Sequence, residues 1–166
     1  MAGVSPRPVR VTILTLSALL VLLAAAALWI GVRERDEQAR ADDRRAAIDA
    51  AGAHAVSLLS LHHQTVDADA QRILATSTGA ARKEYEAGLD RLRKTTIANK
   101  VVQNGVLRAA GLVSMSGGTA KVLVVADVDI RWEGSKSPPQ DRFYRWSMDL
   151  AKVGKVWLVS KAVQVA

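Results

Sequence analysis

AKVLVVADVDIRW, residues 120–132, decides the fold of this chain. Ala120, Val122, Val124, Ala126, Val128, Ile130 and Trp132 alternate with Lys121, Leu123, Val125, Asp127, Asp129 and Arg131. A period of two puts the first set on one face of a β-strand and the second on the other. The first face is wholly apolar and the second carries charges of both signs. Such a strand belongs to an antiparallel sheet covered on one side. Upstream, VVQNGVLRAAGLVSMS (101–116) reads as its partner, with Gly105 or Gly111 as bulge sites and Gly117–Gly118 as a tight hairpin turn. Downstream, EGSKSPPQ (133–140) is a loop and 141–152 a third strand with Tyr144, Trp146, Met148 and Leu150 on one face. Gly154 then turns the chain into a last strand, 155–165.

The segment before the strands has helical period. Residues 33–64 read as one helix whose first half, RERDEQARADDRR, is polar on all sides, as in a solvated spacer. Its second half gains an apolar stripe of Ile48, Ala51, Ala55, Leu58, Leu59 and His62, where packing begins. Asp67 is a candidate N-cap for a short helix through Leu74, with Ser77, Thr78 and Gly79 as the break. A third helix covers about 80–98, with Ala81, Tyr85, Leu89, Leu92 and Ile97 as its buried face. Helices followed by hairpin-connected strands make an α+β domain: about three helices on one face of an antiparallel sheet of about four strands.

Farther upstream, VTILTLSALLVLLAAAALWIGV (11–32) contains no charge. A helix needs roughly 20 mostly apolar residues to cross the hydrocarbon core of a bilayer. The run outlasts the 7–15-residue apolar core of a signal peptide, so it reads as a retained single-pass anchor, with Trp29 at its interfacial end. The expected organisation is a cytoplasmic tail at 1–10, the transmembrane anchor at 11–32, a polar helical stalk at 33–47 and an exported domain at 48–166. Arg33, Arg35, Arg40, Arg44 and Arg45 follow the anchor, against Arg7 and Arg10 before it. A count of basic residues alone therefore favours the opposite orientation. The short tail is nevertheless placed inside, because long domains translocate largely regardless of charge.

Composition narrows the function classes. Cysteine is absent, which excludes disulfides and thiolate chemistry. The net charge of +7 is dispersed, with all 16 acidic residues after the anchor, and no basic run is interleaved with aromatics to track a phosphate backbone. Nucleic acid is not an expected partner. His54, His62 and His63 are the histidines. On a helix, His62 and His63 point about 100° apart and do not share a metal, while His54 lies two turns from His62. A site of His62 with Asp67 or Asp69 is weighed against a packed or hydrogen-bonded histidine, and the latter is preferred. Asp127 and Asp129 share a strand face, where cross-strand pairing with Lys121 or Arg131 is the ordinary use and acid–base catalysis the rarer one. Tyr144, Trp146 and Met148, with Trp132 or Trp157, are read as core ahead of a lipid-sized cavity. No phosphate loop, nucleophile elbow or Cys/His metal spacing is present. No catalytic, cofactor-binding or metal-binding residue is assigned, and no enzyme activity is expected.

LLSLHHQTVDADAQRILATSTGAARKEY (58–85), GTAKVLVVADVDI (118–130) and the looser R..RWSMDLAKVGKVWLVSKAVQV (142–165) resemble the Mce-associated membrane proteins of actinobacteria. The resemblance covers about 33–165 and extends to a single upstream anchor. It departs at Ala80 and Ala81, where an aromatic residue is expected soon after the glycine. It implies a cystatin-like, NTF2-like exported domain similar to VirB8 secretion scaffolds. It also implies a non-catalytic role in assembling or stabilising Mce-type lipid importers in the plasma membrane. Mce transporter subunits or other envelope proteins are then the expected partners, with lipid contact conceivable. The alternatives are a VirB8-like secretion scaffold and a small NTF2-like lipid-binding or enzymatic domain.

Overall fold

The first helix, α1, runs from Pro6 to Leu59 and stops short of the expected end at 64. Leu61 and His62 instead form a two-residue strand, β1, pairing with Gln103 and Val102 of β2 (Val101–Ser116). The spacing of Leu58, Leu59 and His62 suits a helix, but a neighbouring strand offers unpaired backbone groups that Leu61 and His62 satisfy. Ser60 makes the junction, its Oγ accepting the Gly105 N–H at 3.2 Å. This places His62 and His63 off the helix, which overturns the 100° argument for their divergence.

The computed structural model describes residues 6–165, with side chains within 6–36 described only in part. Two compact units divide at Asp42/Asp43. In the first, the Arg33 guanidinium lies 5.1 Å from the Trp29 ring centre, and Glu37 to Asp42 are exposed. Among the described residues no helix is long and apolar enough to cross a membrane. Most side chains of 11–32, where the sequence places the anchor, lie outside those residues, as does most of the tail at 1–10. The second unit starts at Asp43, ahead of the boundary expected at 48.

In that unit the sheet is an antiparallel meander in the order β1-β2-β3-β4-β5, where β3 is Thr119–Trp132, β4 Gln140–Val153 and β5 Val156–Gln164. Gly117 and Gly118, at φ 54° and 82°, make the two-residue turn between β2 and β3. Both positive angles suit the type I′ geometry that matches strand twist. The bulges of β2 fall at Arg108 and Val113, not at Gly105 or Gly111. Gly105 serves close approach instead: a Cβ there would lie 2.5 Å from Leu59 Cβ and 3.2 Å from its carbonyl carbon.

The alternation in β3 holds through Ile130, with Ala120, Val122, Val124, Ala126, Val128 and Ile130 all buried. Over that face lie Ala47, Ala51 and Ala55 of α1, a stripe of small residues that lets the helix sit close to Met148, Leu150, Trp157 and Val159. Burying a side chain the size of Met148 or Leu150 stabilises the fold by roughly 1.5–3 kcal/mol each. A second cluster gathers Leu59, Val101, Ala126, Val128 and Ile130 against Trp132, Tyr144 and Trp146. Tyr144 and Trp146 stack with centroids 5.0 Å apart, so the aromatic stripe belongs to the core.

Helix α2 spans Val66–Ala75, preceded by Thr65, and Asp67 lies in its first turn instead of capping it. Helix α3 spans Gly79–Ala98. It buries Ala81 and Thr96, while Tyr85, Leu89 and Leu92 are half-buried and Ile97, expected inside, is exposed. α3 rests on α2 and β5.

Candidate functional site

Three places in the second unit gather chemistry. The first is a groove of about 440 Å³ between the end of α1, β1, α2 and α3. Leu58, Leu61, Ile73, Leu89 and Leu92 give it an apolar lining, and Tyr85 forms part of its wall. The volume falls in the range of small-molecule sites. Behind Tyr85 lies His54, fully buried. Its Nδ1 is 2.7 Å from Thr76 Oγ1 and its Nε2 is 3.2 Å from the Tyr85 hydroxyl. The Thr76 hydroxyl donates to the carbonyls of Arg72 and Ile73 at 3.1 and 3.0 Å. Its oxygen therefore accepts from His54, which fixes the Nδ1–H tautomer and leaves Nε2 to accept the Tyr85 O–H. Burial pushes the His54 imidazole down to about 4. Burial also pushes the Tyr85 phenol up to about 12, with the Glu84 charge adding to it. Both side chains are neutral at pH 7, and every polar atom of the relay has a partner.

The second place is the junction of α3, β1 and β3. His62 and His63 stack with centroids 4.8 Å apart. His63 Nε2 lies 2.7 Å from Glu133 Oε2, and His62 Nε2 lies 3.9 Å from Glu133 Oε1. The His63 hydrogen bond holds the Glu133 carboxyl below the usual carboxylate range, helped by the charges of both histidines and Lys100. Sequence reasoning paired His62 with Asp67 or Asp69, and the structure does not bring those side chains together as ligands. Asp69, buried, accepts the His62 backbone N–H at 2.8 Å, the Thr65 hydroxyl at 3.2 Å and an Arg72 N–H at 2.7 Å. Asp67 pairs with Arg93 at 3.2 Å. Glu133 was missed because it lies in the stretch read as a loop, seventy residues along the chain from His63.

The third place is the outer face of the sheet. Asp127 pairs with Arg108, Asp129 with Arg131 at 2.6 Å, and Lys121 with Asp149 at 3.1 Å. The two aspartates thus hold ion pairs and point away from the core. Between them the register sets Asp127 beside Phe143, Leu123 beside Ser147, and Ser147 beside Val163. Phe143 is 75 % exposed, and Val106, Leu123 and Val163 are exposed with it. On the opposite side, Asp43 accepts from Lys152 Nζ at 2.7 Å and Trp157 Nε1 at 3.3 Å, and the Lys152 bond holds its carboxyl below the usual range.

The profile of a family described as "Uncharacterized protein Rv1363c/MT1408-like" matches residues 9–165. The chain belongs to this family. One relative is the "Uncharacterized protein Rv1363c" of Mycobacterium tuberculosis (strain ATCC 25618 / H37Rv), 27% identical over 153 residues. That match covers 90% of this chain and 58% of the relative, so the chain spans little more than half of that protein's length. Among solved structures, the periplasmic domain of DotI is similar at TM-score 0.59 and 15% identity, covering 71% of this chain and 91% of that one. Agrobacterium tumefaciens VirB8 is similar at TM-score 0.56 and 10% identity, with coverage of 70% and 88%. A putative aromatic ring hydroxylase from Novosphingobium aromaticivorans is similar at TM-score 0.54 and 16% identity, with coverage of 74% and 87%. Identities this low speak to the fold alone. That fold is three helices on a curled antiparallel sheet of the VirB8/NTF2-like kind, as expected from the sequence, with the short β1 as a fifth strand.

Proposed function

We propose that this protein is a membrane-tethered scaffold of the cell envelope, working in the manner of a VirB8-type domain and not by catalysis. The observation that carries the reading is the uncovered outer face of the sheet. Phe143, Leu123, Val163 and Val106 are exposed there, interspersed with Asp127, Arg145 and Ser147 and flanked by the pairs Asp129–Arg131 and Lys121–Asp149. Exposed apolar side chains set among charged ones offer a partner both area to bury and groups to pair with. The fold's likeness to DotI and VirB8 supports the same reading.

The mechanism is positional. An anchor at 11–32 would confine the domain to the plane of the membrane, with the N-terminus cytoplasmic and the domain extracytoplasmic. Confinement raises its effective concentration toward partners in that plane. The words at 58–85 and 118–130 that resemble Mce-associated proteins favour subunits of an Mce-type lipid importer as the partner. Secretion-apparatus subunits are the alternative that the fold likeness favours. The test is in-cell crosslinking of the full-length chain followed by identification of its partners, with Phe143→Thr as the comparison. Import-permease subunits captured by the parent chain and lost from the variant support the Mce reading. Secretion subunits in their place support the alternative. A chain released from membranes by mild salt would sink the tether.

A further inference from the structure

We propose that His62, His63 and Glu133 form a binding site for one divalent transition-metal ion of the zinc class. The backbone holds the three residues to one short stretch of chain. His62 pairs with Val102 in the β1–β2 ladder. The His63 N–H donates to Val101 O at 2.9 Å, and the Glu133 N–H donates to Lys100 O at 3.0 Å. Lys100, Val101 and Val102 are consecutive, and Lys100 sits at φ 48°, the bend that carries the chain out of α3 and into β2. Three residues from two distant segments are thus set side by side, His62 in β1 and His63 and Glu133 one residue past the ends of β1 and β3.

Their side chains already converge. One donor atom from each lies within 4.8 Å of the others, and the two carboxylate oxygens of Glu133 face the two imidazoles separately. Zinc bonds of about 2.0–2.1 Å in tetrahedral geometry need donors roughly 3.3 Å apart. A donor pair at the 4.8 Å limit has to close by about 1.5 Å, while the 2.7 Å His63–Glu133 contact has to open by about 0.6 Å. The His62 and Glu133 side chains, 35% and 50% exposed, are free to make these shifts. Two imidazoles and one carboxylate suit zinc, cobalt, nickel or copper and poorly suit calcium or magnesium, which demand more oxygen ligands. Solvent or a partner's side chain would fill the remaining position.

Two features oppose the ion. The Gln64 N–H donates to His62 Nδ1 at 3.1 Å, which keeps the proton of a neutral ring on Nε2. Binding through Nε2 moves that proton to Nδ1 and returns the exposed Gln64 N–H to water. The Lys100 ammonium also acts on Glu133 and repels a cation.

The experiment is calorimetric titration of zinc chloride into the full-length, metal-stripped chain in detergent, carrying no histidine tag. His54 is buried and hydrogen-bonded, so it does not compete. Saturable one-to-one binding is expected, weakened at least about tenfold by His63→Ala and by Glu133→Gln. Magnesium and calcium should give no comparable binding. Cobalt in place of zinc should give visible absorption bands that disappear in both variants. Glu133→Gln alters an exposed side chain and keeps its shape, so it separates loss of a ligand from loss of the fold. Absence of saturable zinc binding, or binding unchanged in both variants, overturns the proposal.

Discussion

Lowering the pH from 7.5 to 5 should destabilise this domain through His54 alone by about 2 kcal/mol. The folded state holds the imidazole neutral, with its protonation pushed down to about 4, while the unfolded chain protonates near 6.5. Below 6.5 the unfolded state therefore binds more protons, and stability falls as pH falls. The stabilisation is complete above about 6.5, drains away between 6.5 and 4, and changes no further once both states are protonated. The whole displacement is worth about 3 kcal/mol, of which about 2 kcal/mol is spent by pH 5. Tyr85, pushed up to about 12, keeps its O–H throughout this range and goes on donating to Nε2. A protonated ring would have to abandon that acceptor role at a fully buried side chain.

The assay is urea unfolding of the full-length chain in detergent, followed by tryptophan fluorescence at pH 7.5, 6.5, 5.5 and 5.0. His54→Gln is the comparison, since it retains polar atoms but takes up no proton. The variant should be less stable at pH 7.5 and its stability flatter with pH by about 2 kcal/mol over the range. His62, His63 and the carboxylates remain in both proteins, so the difference in slope isolates His54. Equal slopes would refute the assignment of a buried, neutral imidazole.

Three further outcomes follow from packing and hydrogen bonding. Gly105→Ala should cost about 1–3 kcal/mol, because its Cβ meets the Leu59 side chain and backbone, whereas Gly88→Ala, with nothing within 4 Å, should stabilise α3 by up to about 1 kcal/mol; thermal melts distinguish the two. Asp69→Ala should cost about 2–3 kcal/mol, since it strands the His62 N–H and releases Thr65 and Arg72 together; chemical denaturation measures it. Phe143→Thr, which keeps strand propensity and adds no charge opposite Asp127, should change stability by no more than about 0.5 kcal/mol, so a lost crosslink in that variant reports on docking and not on folding.

Much of the fold was legible because it rests on periodicity. Ala120 to Trp132 alternates so regularly that its two faces, its hairpin at Gly117–Gly118 and its place inside a half-covered sheet all follow. The misreadings share a physical cause: they concern contacts between segments far apart in the chain. Leu61 and His62 have helical spacing, and only the free edge of β2 draws them into a strand. Gly105 has the signature of a bulge, yet its lack of a Cβ is used by Leu59, more than forty residues upstream. The bulges went to Arg108 and Val113, which carry no local signal. Of the candidate sites, Asp127 and Asp129 were rightly read as surface charges, although Asp127 pairs with Arg108 of the neighbouring strand. Glu133 could not be connected to His62 and His63 without knowing that Lys100, Val101 and Val102 hold all three.

The inner and outer faces of the sheet place different demands on function. Ala47, Ala51 and Ala55 bring α1 so close that Val122, Val124, Met148 and Leu150 are buried almost completely. Helices on a curled sheet can leave a pocket between the layers, and here that space is occupied by side chains. The apolar groove lies instead among α1, α2 and α3, where its wall residue Tyr85 is already committed to His54. A ligand there would press on the Tyr85–His54 relay, beside Glu84 and Arg91 of the same groove. The outer face has the opposite character. Its charges are paired laterally, its apolar residues are uncovered, and Phe143 is 75 % exposed at the cost of leaving an aromatic ring in water. Such a ring gains most by being covered, and a polypeptide surface can cover it without disturbing the core. That asymmetry is why the scaffold reading places recognition on the sheet and leaves the helical layer to hold the sheet in shape.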